Sequence, residues 1–157
     1  MSDEILEAWR VNNRMNFLLL DAIPAKALEA RYSPRTRSVA SQFAHVHNNR
    51  VYHLEKRGPN GIGSLESFPR GAQPGKRELR AALKASEKAI ADMFDVSGKT
   101  GKIRGWKDAP TTYLGYFIAH EAHHRALALV ALRLSGTKLP KDVTYGIWYW
   151  RDKKAEK

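Results

Sequence analysis

The stretch His120-Glu121-Ala122-His123-His124-Arg125 carries three of the six histidines in a 157-residue chain. On a helix, His120 and His124 would project from one face about 6 Å apart. Their ring nitrogens could then be aimed at a single point, where an ion with bonds of about 2.1 Å would sit. A third ligand must come from elsewhere, and an earlier segment offers His45, His47 and His53. One histidine on an apolar stripe is more often a hydrogen-bonded core residue than a ligand. A pair at ligand spacing favours metal, because two imidazoles buried side by side with nothing between them leave polar surface unsatisfied. His123 falls off the seam, as a surface residue or one supporting the ligands from outside.

The same letters, HEAHH, match the two-histidine, one-glutamate pattern of zinc peptidases, with Glu121 as general base. Against that reading, Leu127 stands where the extended pattern has glycine, no downstream glutamate supplies a third ligand, and no strand is evident to hold a peptide. Glu121 and Arg125 point away from the seam and read as an exposed pair worth a few tenths of a kcal/mol.

Four helical stripes are available to position these residues. Residues 3–22 place Ile5, Leu6, Trp9, Phe17, Leu19 and Leu20 on one broad arc, with Asn12, Asn13 and Asn16 inside it. Asparagine is costly to bury without partners, so something polar is expected opposite Asn12 and Asn16. Pro24 ends this helix. A second runs from about 38 to 56, capped by Thr36 or Ser38 and closed by Gly58-Pro59. Residues 58–75 hold five glycines and three prolines and must form a long irregular crossover. The third helix, about 76–95, steps through Leu79, Leu83, Ser86, Ile90 and Met93, and residues from 97 onward read as loop. The fourth, about 111–135, has the seam Tyr113, Phe117, His120, His124, Leu127, Ala131 and Leu134. The aromatic tail LPKDVTYGIWYW fits a short helix packed across the bundle. An all-α four-helix bundle in a single domain, 1–157, is the fold class predicted.

Absence of cysteine excludes disulfides, a thiol nucleophile and thiolate metal ligands, so any metal depends on histidine, carboxylate or carbonyl, and any sulfur chemistry on a partner. The opening MSDEILEAWR lacks a basic region followed by an apolar run, and no uncharged apolar stretch of about eighteen residues occurs. A cytoplasmic protein without membrane association is expected. The net charge of +11 is the footprint of a protein that meets polyanions. Its basic residues are dispersed and carry no nucleic-acid motif, so solvated faces and no specific nucleic-acid partner are expected.

The entry SVASQFAH, the NNRMN of the first helix and HEAHHR late in the fourth together resemble the DinB/YfiT-like family of metalloenzymes, unrelated to the polymerase of similar name. The resemblance spans nearly the whole chain, including the YGIWYW tail. It implies a four-helix bundle with a long crossover between helices 2 and 3, commonly dimeric, holding a divalent metal through one helix-2 histidine and the spaced pair of helix 4. Matched by position, that histidine is His45, seven residues after Ser38. The helical wheel alone places His47 nearer the centre of the apolar arc, with His45 at its edge beside Asn49 and Tyr52. Where the family often has Gly-Gln after the motif, this chain has Ala126-Leu127, which spares the ligands but alters substrate contacts.

The resemblance implies further that His45, His120 and His124 hold zinc or nickel with one position open to a small molecule. Characterised relatives in the wider superfamily are transferases and isomerases that use low-molecular-weight thiols, so thiol transfer is expected, with metal-dependent hydrolysis next. Asn12, Asn16, Asn49 and Tyr52 are candidates for supporting the ligands or lining the substrate entrance. Asn12 and Asn16 fit equally an internal polar network that fixes helix register. The rival class is a non-enzymatic metal-binding protein of stress or damage response that contacts anionic partners.

Overall fold

The computed structural model describes residues 2–59 and 65–150. Helix α1 (Ser2–Ala22) begins with Asp3 and Glu4 in its first turn, where carboxylates meet the positive end of the helix dipole. It stops before Pro24, which leads into a 3-10 turn at Ala25–Glu29. Helix α2 (Val39–Arg57) is capped by Ser38, whose hydroxyl accepts from the Ser41 amide at 3.1 Å, and ends at Gly58. Helix α3 (Lys76–Thr100) starts with the Glu78 carboxylate accepting from the Gly75 amide at 2.8 Å. Helix α4 (Pro110–Leu134) has proline at its first position, and α5 (Lys141–Gly146) is the short helix of the aromatic tail. Among the described residues there is no strand, and no helix is long and apolar enough to cross a membrane.

Helix α3 runs about one turn beyond the expected end. The Lys99 ammonium pairs with Asp95 at 2.6 Å, and the stop comes only at Gly101, whose φ of 70° is the left-handed conformation that glycine adopts without strain.

The core has three storeys. One apolar cluster gathers Leu19, Leu20 and Ile23 of α1, Val39, Phe43 and Val46 of α2, Leu79 and Leu83 of α3, and Ala128, Ala131 and Leu132 of α4. The other gathers Ile5 and Trp9 of α1, Leu54 of α2, Ile90, Met93 and Phe94 of α3, and Tyr113, Leu114 and Phe117 of α4. Between them each helix contributes buried polar groups: Asn12, Asn13 and Asn16; Arg50; Ser86; Glu121 and Arg125. The order in which each chain segment meets the storeys sets its direction. Helices α1 and α4 run one way, α2 and α3 the other. Because α2 and α3 are parallel, the segment joining them must return the length of the bundle, which explains the long crossover. Of that segment, residues 60–64 lie outside the described residues. From Leu65 on it follows α2 back: Asn48 exchanges hydrogen bonds with Phe68 at 2.8 Å in both directions, and Gln73 bonds Ser38 and Ser41.

The polar storey corrects the expectation that Glu121 and Arg125 form an exposed pair: both are buried. Arg50 donates from Nε to Glu121 Oε1 at 2.7 Å and from Nη2 to Oε2 at 2.8 Å, and its other protons reach Asn13, Leu83 and Ser86. Asn12 and Asn16 donate to Glu121 Oε2 at 2.6 and 2.7 Å and accept from Arg125 through their own oxygens. The face of α4 turned inward is thus centred on Phe117, Glu121 and Ala128, rotated from the expected seam, and Leu134 at the seam's end is exposed. Two helices, α1 and α2, approach α4 from different sides, so its buried arc is wider than a two-helix seam.

Candidate metal centre

At the edge of the polar storey, antiparallel packing of α2 on α4 brings His45 against His120 and His124. The His45 ring centroid lies 5.2 Å from that of His120 and 4.5 Å from that of His124, and the α4 pair is 4.5 Å apart. One nitrogen from each lies within 4.8 Å of the others. His120 Nε2 and His124 Nε2 face each other at 3.2 Å. Two nitrogens bound at about 2.1 Å to one tetrahedral ion would stand about 3.4 Å apart, so the pair is already near ligand separation.

The orientation of His124 is fixed from behind. Its Nδ1 lies 2.7 Å from Gln42 Oε1, an oxygen that can only accept, so the ring proton is held on Nδ1 and the Nε2 lone pair points into the cluster. Asn49 sits 3.3 Å from His120 Nδ1 and accepts from the Tyr116 hydroxyl at 3.2 Å. The atom facing His120 is the Asn49 amide nitrogen, which donates to Nδ1, so in the metal-free protein the ring proton stands on Nε2 and faces the His124 Nε2 lone pair; turning the carboxamide over, with loss of the Tyr116 bond, frees Nε2.

All three imidazoles are held neutral. Burial, then the Arg37 and His120 charges, brings His45 down to about 4. Burial, then the neighbouring histidines and Arg37, brings His124 down to about 3. His120 is lowered as well, chiefly by burial, with Glu121 opposing. Neutral imidazole is the form that ligates a metal, so a divalent ion suits this donor set.

The remaining sequence candidates lie elsewhere. His47 is buried beneath the crossover, with Nε2 3.0 Å from the Glu66 carbonyl and its ring on Phe68. His53 is bonded to the Tyr113 and Tyr116 hydroxyls, one step beyond Asn49 from the cluster. Tyr52 is exposed and packs its ring on His53 at 5.3 Å. His123 is exposed, its ring 5.2 Å from that of His124. Asn12 and Asn16 bond Glu121 and Arg125 inside the bundle rather than any of the three histidines. Sequence reasoning missed Gln42, Tyr116 and Arg37. Gln42 had a signal, since it lies three residues before His45 and so shares its helix face.

A model of the DinB family matches residues 1–153. The chain belongs to the DinB family. No curated protein matches it. In this DinB-family bundle the glutamate of HEAHH is not available as a peptidase base. Burial pushes its pKa up, but the Arg50 charge and hydrogen bonds, with those of Asn16, outweigh that, so the carboxylate stays ionised below its ordinary range. Both of its oxygens are occupied by donors.

Proposed function

We propose that His45, His120 and His124 hold a divalent ion, zinc or nickel, and that the protein is a metal-dependent enzyme transferring a low-molecular-weight thiol. The observation that carries this is the convergence of three neutral imidazoles, with the lone pair of His124 aimed by Gln42. Three protein donors leave a coordination position for a small molecule, the mark that separates catalytic from closed structural sites. A divalent ion there would lower the pKa of a thiol or water that binds it, supplying a nucleophile at neutral pH. The chain's own part is to orient the ligands, through Gln42 and Asn49, and to admit the substrate. Thiol rather than water follows from the likeness to thiol-using relatives, and the absence of cysteine means that the sulfur must arrive with the substrate.

Cobalt-substituted protein provides the test. A low-molecular-weight thiol should produce sulfur-to-cobalt charge-transfer absorption in the near ultraviolet, strengthening as pH rises toward the thiol's lowered pKa. If thiols leave the spectrum unchanged while small oxygen-donor anions perturb it, hydrolysis replaces thiol transfer as the better reading.

A further inference from the structure

Beside the three histidines lies a cleft of about 800 Å³ with one-sided chemistry. Its floor is α2, including Gln42 and His45; one wall is the segment between α1 and α2, the other the returning crossover. Four arginines line it, Arg31, Arg35, Arg37 and Arg70, and no aspartate or glutamate does. Arg31 is tied to the Thr36 carbonyl. Arg35, Arg37 and Arg70 have no carboxylate partner among the described residues. The crossover wall is anchored, since Ser41 donates to the Ala72 carbonyl at 3.2 Å and Gln73 donates to Ser41 at 2.9 Å.

Guanidinium groups without counter-charges, grouped on the walls of a concavity, form charge-assisted and bidentate bonds with carboxylate or phosphate oxygens. Dispersed surface charge serves solubility and does not need to face into one cleft. His45 belongs to both the cleft floor and the histidine cluster, and Gln42 beside it bonds His124, so the cleft adjoins the cluster along α2.

We propose that the arginine cleft binds an acidic group of the substrate, carboxylate or phosphate, and so presents the rest of the molecule to His45, His120 and His124. This rests on the reading of those histidines as a metal site, and the experiment separates the two. Inorganic phosphate and malonate are titrated calorimetrically into the full chain without metal, at near-physiological ionic strength. Saturable one-site binding of either anion is expected, the tighter one identifying the acid. Arg37→Ala and Arg70→Ala should each weaken it by about tenfold, and Arg35→Glu should do so at least as strongly, while Lys107→Ala, exposed and outside the cleft, should not change it.

In cobalt-loaded protein, mercaptosuccinate, a thiol bearing two carboxylates, should change the spectrum at about tenfold lower concentration than neutral mercaptoethanol, and Arg37→Ala should remove that advantage. Failure of cobalt to bind would overturn the metal reading and leave the calorimetric result to judge the cleft. Non-saturable anion binding, or equal effects of Lys107→Ala and the arginine variants, would overturn the cleft proposal.

Discussion

Replacing Glu121 by glutamine is the sharpest probe of the polar storey, because it keeps the volume and removes the charge. Glu121 Oε2 accepts from Asn12, Asn16 and Arg50 within 2.8 Å, and Oε1 accepts from Arg50 Nε at 2.7 Å. Whichever oxygen the amide nitrogen replaces, it meets at least one N–H donor. Two guanidinium groups, Arg50 and Arg125, also lose the buried carboxylate charge they share. Breaking a buried pair in this way costs about 3–5 kcal/mol. For a chain of this size 1 kcal/mol corresponds to roughly 2–4 °C, so the melting temperature should fall by roughly 6–20 °C. An exposed pair four residues apart would be worth only a few tenths of a kcal/mol. Urea unfolding followed by far-ultraviolet circular dichroism gives the stability change directly, and the double variant Glu121→Gln/Arg50→Met should recover part of the loss, because the uncompensated Arg50 charge is gone. A loss below about 1 kcal/mol in the single variant would contradict a buried ionic storey.

Gln42→Leu should weaken divalent-metal affinity about 10–100-fold with the helical fold intact, as loss of an outer hydrogen bond to a ligating histidine does; unchanged affinity in a metal titration would show that Gln42 does not orient His124. In metal-free protein, His45 and His53 titrate at about 4 and His124 at about 3 against an ordinary 6.5, each chiefly through burial. The unfolded chain therefore binds more protons between those values, and stability present above pH 6.5 should be lost progressively as pH falls toward 4. A thermal midpoint that stays flat from pH 7 to 5 would refute those neutral, buried histidines. For all its positive charge, the protein should bind duplex DNA only non-specifically, with a Kd weaker than about micromolar at physiological salt; sequence-dependent binding that survives 200 mM salt would revive the partner-binding reading.

The helices and the crossover were legible because they are local: a 3.6-residue period, a serine cap at Ser38, and the glycines and prolines after Gly58. The buried asparagines of α1 were legible as a demand for polar partners. Their partners were not, since Glu121 and Arg125 lie more than a hundred residues away and, standing four apart on one helix, mimic a solvent-exposed pair. Only packing against α1 and α2 decides which flank of α4 turns inward. The three histidines illustrate the same division. The spacing of His120 and His124 was visible, whereas the choice among His45, His47 and His53 came from family likeness. In the fold, the crossover covers His47 and two tyrosines engage His53, leaving His45 beside the pair.

Elemental analysis of protein purified without a histidine tag decides whether His45, His120 and His124 hold a metal. One divalent ion per chain is expected in the wild type, with loss of that ion in His45→Ala and in His124→Ala while the helical circular dichroism is retained, and its retention in His47→Ala. A full complement of metal in His124→Ala, or loss in His47→Ala but not in His45→Ala, would contradict that assignment.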